Sequence, residues 1–455
     1  MRDHQSALLD ASLSSLCEDL KKNNQFDPEG YEKYAVKRGL RNPDGTGVMA
    51  GLTKICSVEG YYIADGERVP TEGRLFYRGY DVCDIVKSCQ DENRFGFEEV
   101  VYLLLFGELP TAEGLANFND ILSKSRPLPE DFVEDMIMKA PSPNIMNQLQ
   151  RGVLALYSYD DDPDGLTIEN TLRQSLLLIS RLPAIMAYAY QVKRWNYDNK
   201  SMYIHQVKPR HCIAELILNA VRSDRKFTDA EAKLLDLCLI LHAEHGGGNN
   251  STFAARVLTS SGTDTYSAIA AGIGSLKGPK HGGANLKVAE MVADMTANIK
   301  DTGNEGQVAD YITKIVNKKA GDGSGLVYGL GHAVYTLSDP RSGILKAQLE
   351  KAVTGSEFEA EYRLLEMVER LTPEIFAKEK GSKKEISANV DLYSGLVYKT
   401  LKIPEDLYTP LFTVARMAGW CAHRIEELMT GGRIIRPAYK SLAQLREYPF
   451  PGVRS

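Results

Sequence analysis

The chain has 455 residues, 43% of them hydrophobic and 25% charged, with a formal net charge of −6. That length carries a core of ample size and predicts two domains, or one large domain with a smaller one attached. The charge excludes a strongly basic nucleic-acid binder, so an anionic ligand has to be met by a local cluster of arginines.

Residues 1–40 are polar and charged, with Leu8, Leu9, Leu13, Leu16 and Leu20 at helical spacing and no complete core. An arm that packs on something else is expected there. From Leu52 to Tyr80, short alternating and aromatic stretches flank Asp65-Gly66, a hairpin signal, and predict a small β patch, the only one in the chain. After Phe97 the pattern turns helical. The first helix closes at Gly107, and Pro110, Pro127, Pro129, Pro141 and Pro143 cut the next stretch into helices of moderate length. Asp160 to Gly165 reads as a solvated turn, because nothing nearby supplies calcium-loop spacing. Leu172 to Val192 is apolar almost all round and predicts a buried helix pair broken at Pro183. Thr228-Asp-Ala-Glu231 is a capping box whose helix places His242 and His245 at or just past its C-terminal end. Ser356-Glu-Phe-Glu359 opens another capped helix, and the last long helix runs from Thr409-Pro410 to Gly431-Gly432 with Arg416 on it. Arg433 and Arg436 lie just beyond.

The seven cysteines are odd in number and scattered, with no Cys-x-x-Cys pair, which predicts reduced thiols. Asp3, Asp10, Glu18 and Asp19 fit neither a secretory signal nor a transit peptide, and no apolar run reaches the roughly 18 residues of a membrane span. A soluble, cytoplasmic protein is expected.

Of the eight histidines, His242, His245, His281 and His332 fall within one stretch, and the last three touch glycine clusters. Glycine neighbours expose the ring and bring backbone N–H groups near, as stabilising a developing oxyanion requires. The His242/His245 pair lacks the glutamate of a His-Glu-x-x-His zinc site, so a hydrogen-bonding pair or a capped core histidine is expected and no metal. Asp391 suits a general base if it is desolvated beside these imidazoles, although Asn389-Val-Asp391 taken alone reads as a helix cap. Arg341, Arg416 and Arg436, if they converge, suit bidentate capture of a small dicarboxylate. Spacing leaves that convergence open.

Taken together, Leu75–Tyr80, Phe97–Pro110, His242–Asn250, Gly278–Asn285, Gly329–Arg341, Asn389–Gly395 and Arg433–Pro437 resemble the citrate synthase family across roughly residues 50 to 440. The resemblance implies a mainly all-α, two-domain helical fold in a homodimer. Its parts are an N-terminal arm over 1–50, a large domain over 51–277, a mobile small domain on the coenzyme A side over 278–395, and a return to the large domain with a C-terminal arm over 396–455. It implies an acyltransferase of the tricarboxylic acid cycle that condenses acetyl-CoA with oxaloacetate and water, giving citrate and CoA without a cofactor and without nucleic-acid or membrane partners. In that family's terms His281 stabilises the enol, Asp391 removes the methyl proton and His332 polarises the oxaloacetate carbonyl. His245, Arg341 and Arg416 hold oxaloacetate, and Arg436 is supplied in trans. The basic run Lys380, Lys383 and Lys384, shortly before Asp391, is expected to meet the CoA phosphates. Two positions depart from the family pattern: Gly246 stands where glutamate is frequent, and Lys280 where leucine is common. The alternatives are a 2-methylcitrate synthase using propionyl-CoA, a citryl-CoA cleaving subunit, and a non-catalytic ligand-binding or assembly protein on this fold. The last is disfavoured by the full set of base, imidazoles and arginines.

Overall fold

The Asp65-Gly66 signal produces the turn it predicts. In the computed structural model, which describes residues 16–18, 20–25, 28–206, 208–381, 385–446 and 448, strand β1 (Cys56–Ala64) turns directly into β2 (Glu67–Tyr77). Asp65 and Gly66 both have positive φ, 53° and 81°, the twist that a two-residue hairpin requires. Ala64 pairs with Glu67, and the register shifts between Glu59 and Tyr61. The short strand β3 (Tyr80–Asp81) completes a three-stranded antiparallel sheet in the order β1-β2-β3.

The chain divides into two compact units, one of Gly51–Ile435 and one of Met1–Ala50 with Arg436–Ser455. In the smaller unit, a one-turn helix at Glu29–Lys33 precedes Tyr34, whose ring lies 5.6 Å from the Lys440 ammonium. Leu16 and Leu20 are helical and exposed there, whereas Leu8, Leu9 and Leu13 lie outside the described residues.

Beyond the hairpin the larger unit is helical. In order come α1 (Val82–Asp91), α2 (Phe97–Phe106), α3 (Ala112–Lys124), α4 (Ile145–Leu156), α5 (Ile168–Tyr197), α6 (Ile213–Val221), α7 (Asp229–His242) and α8 (Asn250–Ser260). Next are α9 (Thr265–Leu276), α10 (Ala284–Asn298), α11 (Glu305–Val316), α12 (Pro340–Val353), α13 (Glu359–Lys380), α14 (Val390–Thr400) and α15 (Tyr408–Met429). The mainly helical architecture with a small β patch near the N-terminus is the one the sequence predicts. Gly107 closes α2 at φ 87°, its N–H donating to Leu103 O, and Thr228 and Glu231 form the expected reciprocal cap of α7. α15 is the axis of the core: nearly every residue from Tyr408 to Ile425 is buried, and α2, α4, α5, α7, α8, α9 and α10 pack on it.

Four local expectations are corrected. Pro183 does not break a helix pair, because α5 runs through it as one helix of 30 residues. Losing a helical hydrogen bond costs about 3 kcal/mol. Full burial of Ile179, Leu182, Ile185 and Met186 around it offsets this, at about 1.5–3 kcal/mol each. Among the described residues α5 alone is long and apolar enough to cross a membrane, with 83% of its apolar window buried inside the protein, so it is a core helix despite the expectation that no run was long enough. The Asp160 turn is not merely solvated. Burial opposes its charge, yet bonds from Tyr266 Oη at 2.7 Å, Arg173 and Gln174 Nε2 at 2.9 Å hold its pKa down at about 2. Finally, α13 starts at Glu359 without a side-chain cap, because Ser356 Oγ binds the Phe358 amide and the Glu359 carboxylate binds the Gly355 amide instead.

Candidate active site

Three connections converge in the larger unit. α7 ends at His242, and the turn after it carries Glu244 and His245 into the interior, both buried. The second connection, between α9 and α10, carries His281. The third contains His332 and leads into α12, whose cap Asp339 also accepts the Val390 amide at 3.2 Å and so joins α12 to the start of α14. Gly329, at φ 81°, sits where a Cβ would lie 2.8 Å from Leu392 Cα, and its carbonyl accepts the Asn389 amide at 2.9 Å. The loop before His332 is thereby tied to the helix that carries Asp391.

Two of the imidazoles, His332 and His281, have a proton that their hydrogen bonds place. His332 Nδ1 accepts the amides of Val334 at 3.0 Å and Tyr335 at 3.1 Å, which leaves the proton on Nε2 as the donor. His281 is arranged the opposite way. Its Nε2 accepts the Ser251 amide in the first turn of α8 at 3.3 Å, with Ser251 Oγ 3.0 Å away, so Nδ1 carries the proton. Burial and then Arg416 push the His281 pKa down to about 4, and the positive end of α8 likewise favours the neutral ring. His245 Nε2 lies 3.2 Å from Tyr335 Oη, and its ring centroid is 5.0 Å from that of His332. Burial first, then Arg341, holds His245 well below the ordinary range. His242 packs 4.4 Å from the Phe412 ring with neither nitrogen hydrogen-bonded, a buried apolar setting for the first histidine of the pair.

Asn389, not Asp391, caps α14: its side chain accepts the Asp391 amide at 3.0 Å, which leaves the Asp391 carboxyl available. Burial raises that carboxyl to about 6 against the opposing pull of Arg341. Arg341 is gripped by Asp339, Nε to Oδ1 at 3.0 Å and Nη2 to Oδ2 at 2.8 Å, and despite burial this pair keeps its proton more firmly held than usual. Arg416 is fully buried with Nε donating to His242 O at 2.8 Å, while Nη1 and Nη2 have no hydrogen-bond partner among the described residues. A base of raised pKa, two neutral imidazoles with directed N–H groups and two buried guanidinium groups suit proton removal next to a carbonyl on an anionic substrate.

The structure thus gathers His245, His281, His332, Arg341, Asp391 and Arg416 in one region of the larger unit. Arg436 is exposed and belongs to the other unit. Lys380 is exposed at the end of α13, and Lys383 and Lys384 lie outside the described residues. Gly246 has φ 85°, and Lys280 is exposed. Sequence reasoning missed the residues that orient this set: Ser251, Tyr335, Asp339 and Trp420, whose indole donates to Ser251 Oγ at 3.1 Å. Tyr335 and Asp339 lay inside motifs already singled out, whereas Ser251 and Trp420 carried no local signal. The cavity of about 500 Å³ lined by Val86, Lys233, Asp236 and Leu401 contains none of the gathered residues.

A sequence profile described as "Citrate synthase, C-terminal domain" matches residues 42–438. The citrate synthase of Haloferax volcanii is 33% identical over 408 residues, 88% of this chain and 94% of that protein. 2-Methylcitrate synthase 1 of Corynebacterium glutamicum is 32% identical over 423 residues, 91% of this chain and 97% of that protein. Among solved structures, the citrate synthase of Thermoplasma acidophilum, in ternary complex with carboxymethyl coenzyme A and oxaloacetate, superposes with a TM-score of 0.75 at 28% identity, covering 92% of this chain and 99% of that one. The chain belongs to the citrate synthase family of acyl-transferring enzymes.

Proposed function

We propose that this protein is a citrate synthase, condensing acetyl-CoA with oxaloacetate and water to give citrate and CoA. The observation that carries the reading is Asp391, raised to about 6 within electrostatic reach of the buried arginines Arg341 and Arg416, in the unit that also holds His281 and His332. Asp391 takes a proton from the acetyl methyl group while His281, through Nδ1–H, donates to the thioester oxygen as the enol forms. His332 donates Nε2–H to the oxaloacetate carbonyl and makes that carbon the electrophile. His245, Arg341 and Arg416 hold the two carboxylates, with Arg436 of a second copy of the chain completing the set. Lys380, Lys383 and Lys384 meet the CoA phosphates. Closure of residues 278–395 over 51–277 excludes water until the carbon–carbon bond exists.

A second reading, propionyl-CoA as donor, is supported by the identity and coverage shared with 2-methylcitrate synthase 1. One methylene in an apolar pocket is worth about 1–3 kcal/mol, so the two donors separate by specificity constant. Thiol release from acetyl-CoA and propionyl-CoA with oxaloacetate is the test. A higher kcat/KM with acetyl-CoA is expected, the reverse moves the assignment to 2-methylcitrate synthase, and release with neither donor overturns both readings.

A further inference from the structure

Arg416, Gly419, Trp420 and His423 share one face of α15, the first and last about two helical turns apart. Arg416 Nε donates to His242 O at 2.8 Å, and His423 Nε2 lies 3.0 Å from Glu244 Oε1. The turn that carries His245 is therefore tied to α15 twice, immediately before His245. Tyr77 Oη, 2.9 Å from Ile240 O and 3.2 Å from Glu244 O, holds the same turn from the hairpin side. The His423 proton is also fixed: Arg256 Nη1 lies 2.9 Å from Nδ1, and a guanidinium only donates, so Nε2 carries the proton that Glu244 accepts. Arg256 is held in turn by Glu426 at 3.0 Å and Glu427 at 2.8 Å.

Glu244 and His423 are wholly buried, and Glu244 Oε2 has no hydrogen-bond partner among the described residues. Room for that oxygen comes from Gly419, where a Cβ would lie 2.0 Å from Glu244 Oε2 and 2.6 Å from Ala243 O. Arg416 has no ion pair among the described residues, and a buried guanidinium is costly to hold without a nearby anion. After burial, Glu244 is the leading influence on Arg416 and favours its charged form.

We propose that Glu244, clamped by His423, is a positioning residue that fixes Arg416 and His245 for a dicarboxylate acceptor. The proposal rests on oxaloacetate being that acceptor. Glu244→Ala removes the clamp and the charge, whereas Glu244→Gln keeps an oxygen that accepts the His423 proton. The alanine variant is expected to raise KM for oxaloacetate about tenfold or more, because small misplacements of binding groups are expensive, with KM for acetyl-CoA changing far less. Glutamine should restore only the part of the loss that the His423 clamp supplies, because it accepts the His423 proton but brings no charge to Arg416. Gly419→Ala deletes no polar group and adds a residue that helices favour, but its Cβ presses on the Glu244 carboxylate and the Ala243 carbonyl together, so a matching rise in KM for oxaloacetate reports displacement of the turn that Glu244 anchors. A folded Glu244→Ala enzyme with unchanged KM for oxaloacetate, or with both Michaelis constants rising in step, overturns the proposal. If that variant does not fold, Gly419→Ala decides, and an unchanged constant there overturns it. Failure of the acceptor assignment is distinguishable: the parent enzyme would then neither bind oxaloacetate in calorimetry nor release thiol in its presence.

Discussion

Asp391 sits in the first turn of α14, where the positive end of the helix favours its ionised form, yet burial dominates and raises the carboxyl to about 6. A base acts only when ionised, so kcat/KM is full well above pH 6, about half at pH 6, and falls about tenfold per unit below it. His281, already neutral down to about 4, adds no limb in that window. A rate profile flat through pH 5 to 6 would remove Asp391 from the role of base. Replacing Asp391 with Ala should cost at least about a hundredfold in kcat while calorimetry still detects oxaloacetate binding, since the acceptor is held by other residues. His281→Ala should abolish exchange of the acetyl-CoA methyl protons with solvent in the presence of a non-reacting oxaloacetate analogue, and retained exchange would count against enol stabilisation at Nδ1. The histidines and the acid that the structure gathers were legible in the sequence because histidines among glycines and an acid beside a cap are local patterns. Their supports were not. Ser251 lies 30 positions from His281, and Glu244 lies 179 from His423, separations that no periodicity connects.

At the scale of elements, the sequence was read best where a signal is local and complete, as in the Asp65-Gly66 turn, the Gly107 stop and the Thr228 capping box. It was misread where tertiary burial overrode the local rule, as at Pro183 inside α5. The β1–β2 hairpin shows a third case, a predicted element whose purpose lies in its contacts. Arg68 Nη2 donates to Val334 O at 3.2 Å, Thr336 Oγ1 donates to Gly60 O, and the Gly73 amide donates to Ser338 Oγ at 3.0 Å. The hairpin thus grips the segment whose Val334 and Tyr335 amides fix the His332 proton. Gly73 is where this grip is tightest, since a Cβ there would lie 2.1 Å from Ser338 O and 2.7 Å from Tyr335 Cδ1. Gly73→Ala should therefore destabilise by about 1–3 kcal/mol through overpacking, and should lower kcat beyond what the loss of folded protein explains. Thermal unfolding and turnover per folded molecule separate the two effects. Unchanged turnover would show that the hairpin supports the fold without positioning His332.

For the whole molecule, the informative fact is that Arg436 belongs with Met1–Ala50 to one compact unit while Asp391 belongs to the other, Gly51–Ile435. Composition marks residues 1–40 as an arm, whereas the sequence around Gly431-Gly432 marks only the end of a helix. Arg436 is exposed just past that helix, and if it serves a neighbouring chain in a two-fold dimer, each site would combine Asp391 of one chain with Arg436 of the other. An Asp391→Ala chain and an Arg436→Ala chain are then each inactive alone. When they pair, one site of the hybrid carries both lesions and the other carries neither. Random reassociation of equal amounts makes half the dimers hybrid, so roughly a quarter of all sites should recover full turnover. Partner exchange is verified independently by tagging the two chains differently and isolating the doubly tagged species. Hybrids isolated in this way that remain as inactive as both parents would show that Arg436 does not act across the dimer, and recovery near a quarter would place it in the partner's site.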